Sequence, residues 1–127
     1  MASGTFVTAV NCMDGRTQLP VIEYLSERYA ADYVDMVTEP GPIKFLAEND
    51  DAAIVESIRN RVAISVNAHG SGIVAIVGHD DCAGNPVPRE TQESQIKKAI
   101  VLVRPWFPGT EFIGLFVKDN TIVEEVK

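Results

Sequence analysis

Four short runs of apolar and β-branched residues punctuate this chain, and stretches of helical spacing separate them. The runs are Thr5–Val10, Tyr33–Val37, Ile73–Val77 and Phe112–Val117. Runs of this length and composition read as buried strands. After the first, Val21, Ile22, Leu25 and Tyr29 share one helical face, with Thr17 expected as the cap and Pro20 tolerated in the first turn. Glu39-Pro40-Gly41-Pro42 ends the second strand, and Lys44–Asp51 reads as a connector with room for one helical turn. Ile54, Ile58, Val62 and Val66 step by four through a long helix predicted over Ala52–Ala68, which stops at His69-Gly70. Glu90–Val103 is the next helix, with Ile96, Ile100 and Val103 facing inward and Pro105 as its stop. Lys118-Asp119-Asn120-Thr121 then turns the chain into Ile122–Val126, an expected antiparallel edge strand. Alternation of this kind specifies an α/β fold of three layers. The expected sheet has four mostly parallel strands and an antiparallel C-terminal edge strand, with helices on both faces. Residues 1–127 are expected to form a single domain.

Composition narrows the partners. The 127 residues carry a net charge of −7, with 46% hydrophobic and 23% charged residues. That is enough chain to bury a core without disulfides. The negative charge disfavours nucleic acid and anionic lipid. Met1-Ala2-Ser3-Gly4 leads into a strand with no basic and apolar leader, and no apolar run is long enough to span a bilayer, so a cytoplasmic location is expected. In a reducing compartment, two cysteines read as metal ligands, redox thiols or buried core residues.

Both cysteines fall in polar segments that directly follow strands: Asn11-Cys12-Met13-Asp14-Gly15-Arg16 and Gly78-His79-Asp80-Asp81-Cys82-Ala83-Gly84. In open parallel sheets, ligands bind beyond the carboxyl ends of the strands. If the first and third strands are neighbours, Cys12, His79 and Cys82 share one rim. Two thiolates and one imidazole can hold zinc and leave a position open for chemistry. Asp14 and Arg16 share the first segment and can form a bidentate ion pair facing the same pocket. Each residue also has a plainer reading. A free cysteine is commonly an inert core residue, and an Asp–Arg pair is commonly a surface contact worth little. A redox pair is disfavoured because no Cys-x-x-Cys is present. His69 reads as a helix-end residue, and Asp80 and Asp81 as caps of the following turn in preference to acceptors standing behind the metal ligands.

Cys12-Met13-Asp14-Gly15-Arg16 and His79-Asp80-Asp81-Cys82 together resemble the Cys-x-Asp-x-Arg and His-x-x-Cys motifs of β-class carbonic anhydrases, in order, spacing and placement after strands. The resemblance runs from about Thr5 to Val117. It implies that Cys12, His79 and Cys82 bind Zn2+. Asp14 then either pairs with Arg16 or, in a closed form, swings in as a fourth ligand. The implied activity is reversible hydration of carbon dioxide to bicarbonate by zinc-bound hydroxide, oriented by a catalytic Asp14–Arg16 dyad. Because two thiolates cancel the metal charge, the bound water is expected to be less acidic than at a three-histidine site, with activity rising above neutral pH. The resemblance also implies a homodimer or higher homo-oligomer. The sequence departs from the family at Ala83, where glycine is usual, and at Thr38–Pro42, where active members carry a different polar run. Two alternatives follow: a non-catalytic zinc-binding or regulatory relative, and a zinc hydrolase of carbonyl sulfide or carbon disulfide.

Overall fold

Side chains that alternate along a strand reach opposite faces of a sheet, and here each face finds its own helices. The computed structural model describes residues 3–127. Its elements run β1 (Phe6–Cys12), α1 (Gly15–Tyr29), β2 (Tyr33–Glu39), α2 (Pro42–Glu48), α3 (Ala52–Ala63), β3 (Ile73–His79), α4 (Arg89–Val103), β4 (Glu111–Lys118) and β5 (Ile122–Val126). The sheet order is β2-β1-β3-β4-β5. The first four strands are parallel, and β5 pairs antiparallel with β4. This is the expected α/β architecture. Val10, Val74 and Ile76 face a core built with Ile43, Leu46, Ile58, Val62 and Ile96 of α2, α3 and α4. The alternate positions Val7, Ala9, Ala75 and Val77 pack with Val21 and Leu25 of α1 on the other face.

Three local expectations need correction. The connector at Lys44–Asp51 is largely the helix α2, because Gly41 adopts φ +66° and Pro42 occupies the first helical position. There the missing N–H of proline costs nothing. The long helix over Ala52–Ala68 is α3 followed by a π turn at Ile64–Ala68, closed by His69 N–H donating to Ile64 O. Thr17 does not cap α1. Asp14 does, accepting from Arg16 N–H at 2.9 Å, while Thr17 Oγ1 donates to Asp14 O.

The chain leaves β1 toward β2 on one side and returns through β3 on the other. The carboxyl ends of β1 and β3 therefore flank the point where strand order switches, the crevice where open α/β sheets bind ligands.

Candidate metal centre

Cys12 and His79 are the last residues of β1 and β3, so both reach the crevice from rigid strands. Asp81 takes a left-handed φ of +56°, which tightens the following turn and brings Cys82 back beside them. Gln92 of α4 clamps the end of β3, accepting from His79 N–H at 3.1 Å and donating to His79 O at 2.8 Å. The clamp needs Gly78, since a Cβ there would lie 2.6 Å from Gln92 Oε1. Gly84 has a similar duty: a Cβ would meet the Pro40 carbonyl at 2.6 Å. The Pro40-Gly41 loop thus lies directly against the Cys82 loop.

Cys12 Sγ and Cys82 Sγ are 3.8 Å apart, and both cysteines are free. The two sulfurs and a nitrogen of His79 lie within 4.8 Å of one another, and all three residues are buried. Sulfurs about 2.3 Å from a tetrahedral zinc are themselves about 3.8 Å apart. His79 Nε2 is fully buried with no hydrogen-bond partner among the described residues. A buried polar atom left this way is uncommon and calls for a ligand. Nδ1 is occupied instead by the side-chain amide of Asn120, at 2.8 Å. The donor set and the orphan nitrogen fit a metal ion with open coordination.

Electrostatics prepare the ligands unequally. Burial alone raises the Cys12 thiol, but the facing His79 and the backbone N–H groups of Asp14 and Gly41 outweigh it and bring its pKa down to about 7. Burial and the neighbouring Cys12 thiolate push Cys82 up to about 11, despite the N–H groups of Asn85 and Gly84. Burial disfavours the His79 imidazolium, yet the facing Cys12 sulfur and the Asn120 contact raise it above its ordinary value. One thiol is therefore largely ionised near neutral pH, and the second would need a cation's charge to lose its proton.

The Asp14 carboxylate stands beside this cluster with both oxygens on Arg16. Arg16 Nε lies 3.0 and 3.2 Å from Oδ1 and Oδ2, and NH2 is 2.6 Å from Oδ2. The guanidinium holds the Asp14 carboxyl down at about 2, with the Arg16 backbone N–H assisting. Gln18 Nε2 ties the same turn together, donating to Cys12 O at 2.7 Å and Asp14 O at 3.1 Å.

The structure thus gathers Cys12, His79 and Cys82 and joins Asp14 to Arg16. Asp14 is engaged by Arg16 here and is not one of the clustered ligand atoms. Asp80 and Asp81 act as acceptors rather than as caps of the following turn: Asp80 Oδ2 accepts from Asp119 N–H at 2.7 Å, and Asp81 Oδ2 accepts from Arg16 at 3.3 Å. Ala83 is exposed, which explains how a methyl is tolerated there. Three contributors escaped the sequence reading. Gly41 sits in a loop marked only as a breaker. Gln92 looks like any polar residue of an amphipathic helix. Asn120 was legible as a turn residue, but nothing in the sequence pointed its amide at His79.

Comparison with known proteins agrees with this geometry. A family model described as "Putative carbonic anhydrase" matches residues 2–127. None of the curated proteins matches the chain. Among solved structures, a carbonic anhydrase from Streptococcus mutans is similar at 17% identity and a TM-score of 0.65, covering 95% of this chain and 81% of that one. The β-carbonic anhydrase isoform I of Trichomonas vaginalis is similar at 16% identity and a TM-score of 0.63, covering 94% of this chain and 81% of that one. Those likenesses show a shared fold. No helix among the described residues is long and apolar enough to cross a membrane. With the family model spanning nearly its whole length, the chain belongs to the carbonic anhydrase family that the model describes.

Proposed function

We propose that this protein is a zinc-dependent carbonic anhydrase that interconverts carbon dioxide and bicarbonate, with Cys12, His79 and Cys82 as metal ligands. The observation that carries the reading is the orphan Nε2 of His79, buried opposite two free sulfurs and beside a carboxylate already paired to arginine. Bound there, zinc would supply a Lewis acid that makes water nucleophilic, with the effect setting in above neutral pH because two thiolates cancel the metal's charge. The protein's own part is orientation. Arg16 takes up both Asp14 oxygens from one side and keeps the carboxyl ionised. Asp14 can then only accept, so it receives the hydrogen bond of the attacking water and turns an oxygen lone pair toward the carbon of carbon dioxide. Water's oxygen adds to that carbon and one proton leaves to solvent; the reverse reaction returns it. In a closed form, Asp14 would leave Arg16 and serve as a further holder of the metal in place of water.

A homodimer completes the proposal. Met13 and Leu19, on the Cys12 turn and on α1, expose 62% and 67% of their surface and supply an apolar margin next to the site. Stopped-flow hydration of carbon dioxide by the zinc-loaded protein tests the function, with Cys82→Ser as control. Catalysis rising above neutral pH and lost in the control supports it. A full zinc complement with no hydration at alkaline pH refutes it and leaves a non-catalytic zinc centre. The remodelled loop at Thr38–Pro42 favours that second reading: it supplies the Gly41 N–H to Cys12 and an Arg61–Glu39 ion pair.

A further inference from the structure

The buried stripe of α4 runs through Gln92, Ile96, Ala99 and Val103, so an amide stands where the helix's spacing reserves a place for an apolar side chain. Gln92 is 2% exposed. A polar group held that deep is unfavourable unless its partners are supplied. Here they are: Oε1 accepts from His79 N–H at 3.1 Å, and Nε2 donates to His79 O at 2.8 Å and to Val87 O at 3.4 Å. Backbone groups at both ends fix which end of this amide is which. Reversing it would set N–H against N–H and oxygen against oxygen.

The strand ladders show why His79 needs such a partner. β1 and β2 stay paired through Cys12 and Glu39, and β3 and β4 through His79 and Val117. The ladder between β1 and β3 ends earlier, at Val10 and Ile76. Cys12 and His79 are thus carried on strands that have already parted, which opens the crevice between them. Parting leaves backbone groups without a strand. Asp80 N–H donates to Val117 O on the β4 side. Successive residues of a strand turn their N–H and C=O to opposite sides, so those of His79 face the side that β1 has left. His79 is 1% exposed, so bulk water is not at hand to replace the lost strand. The Gln92 amide offers one acceptor and one donor in its place.

The same side chain reaches the segment that follows Cys82. Asn85 N–H donates to Cys82 O at 3.2 Å, and Asn85 O accepts from Val87 N–H at 2.8 Å. Gln92 therefore spans the end of β3 and the chain returning from Cys82. We propose that Gln92 is a positioning residue whose amide replaces β1 as the partner of His79 and so holds the strand ends apart at the spacing a metal ion needs. The inference rests on reading Cys12, His79 and Cys82 as the metal site and concerns what keeps them in place. Gly78 belongs to the same device. A Cβ there would lie 2.6 Å from Gln92 Oε1, whereas its other near neighbours, the Cδ1 atoms of Ile43 and Ile96 at 3.2 Å, are the ends of flexible side chains.

Gln92→Met keeps the length of the side chain and removes its hydrogen bonds. Gly78→Ala leaves Gln92 in place and obstructs its amide. Gln92→Ala and the Gly78→Ala, Gln92→Ala double variant complete a cycle. Zinc affinity is measured by chelator competition, ligand geometry by the sulfur-to-metal and d–d bands of the cobalt-loaded proteins, and folding by circular dichroism. Each single variant is expected to lose roughly 10- to 100-fold in zinc affinity and to shift the cobalt bands. Gly78→Ala is expected to add little once Gln92 is gone. A folded Gln92→Met with the parent's zinc affinity and cobalt bands overturns the inference: Gln92 is then a brace between helix and sheet, and the metal reading stands. Full additivity of Gly78→Ala and Gln92→Ala overturns it as well. If Gln92→Met does not fold, Gly78→Ala is judged by the same two readouts. Hydrogen exchange on the parent needs no variant: the His79 amide proton is expected to exchange slowly, and exchange at the rate of an exposed amide overturns the inference. A parent that binds neither zinc nor cobalt removes the metal reading and the inference together.

Discussion

His69 and His79 are the two histidines of this chain, and they lie toward opposite ends of the parallel strands. His69 follows the π turn and is answered by protein. Its Nδ1 is 2.6 Å from Asp35 Oδ2, which also accepts from Ser65 Oγ at 2.6 Å. Ser65 touches Thr8 at 2.6 Å, Thr8 donates to Ser71 at 2.7 Å, and Ser71 donates to Ile73 O at 2.9 Å. Phe6 stacks on the His69 ring with centroids 4.3 Å apart. The chain of contacts ties β1, β2, the π turn and the entry to β3. His79 shows the opposite pattern, with one nitrogen paired and the other buried against two sulfurs without a hydrogen bond. A closed polar network braces a fold; an open one inside a convergent donor set is a place for a ligand.

The sharpest way to break this contrast is to exchange the two roles by mutation. His79→Ala is expected to weaken zinc binding more than ~100-fold, beyond the loss typical of an outer partner. His69→Ala is expected to leave zinc stoichiometry unchanged, as read by metal analysis after dialysis. Equal losses from both variants would abolish the distinction.

A second test uses the pH dependence of zinc affinity. Zinc takes both cysteines as thiolates and the histidine as neutral imidazole. Cys82, lifted to about 11, gives up a proton on binding, and Cys12, lowered to about 7, is already ionised above that pH. Affinity therefore rises with pH, by at least about tenfold per unit between those two values and about another tenfold per unit below the lower one. Calorimetry in buffers of different ionisation enthalpy counts the protons, and binding with no proton release at pH 8 would contradict the assignment.

Smaller effects are expected from the flanking groups. Asp14→Asn keeps the side chain's shape and removes its charge, so zinc uptake should persist while carbon dioxide hydration falls roughly 10- to 100-fold. A fully active Asp14→Asn would remove the dyad from the mechanism. Ser65→Ala breaks the network around His69 and is expected to cost about 1–3 kcal/mol of stability in thermal unfolding, with no change at the metal. Loss of zinc in that variant would show that the two ends are not separate.

Much of this was legible in the sequence because the relevant signals are local. Four β-rich runs and the C-terminal Ile122–Val126 marked the five strands, and two short motifs placed Cys12 and His79 at strand ends and Cys82 in the turn that follows. What escaped depends on contacts distant in sequence. The π turn keeps the four-residue stepping of Ile58, Val62 and Val66, so periodicity alone reads one continuous helix; Ser65 and His69 both bond Asp35 across it, a contact no local pattern announces. Asp14 was read for its charge, although it also caps α1 and so fixes Arg16 through main chain and side chain together. Gly41 and Asn120 reach Cys12 and His79, 29 and 41 positions away, through a backbone N–H and an amide.

The central claim is that Cys12, His79 and Cys82 form a zinc site with an open position, and X-ray absorption at the zinc edge tests it most directly. The account predicts stoichiometric zinc with two sulfurs at about 2.3 Å and nitrogen or oxygen neighbours at about 2.0–2.1 Å, the sulfur shell being lost in a Cys12→Ser, Cys82→Ser double variant. A protein that binds no zinc, or binds it through nitrogen and oxygen alone, would contradict it.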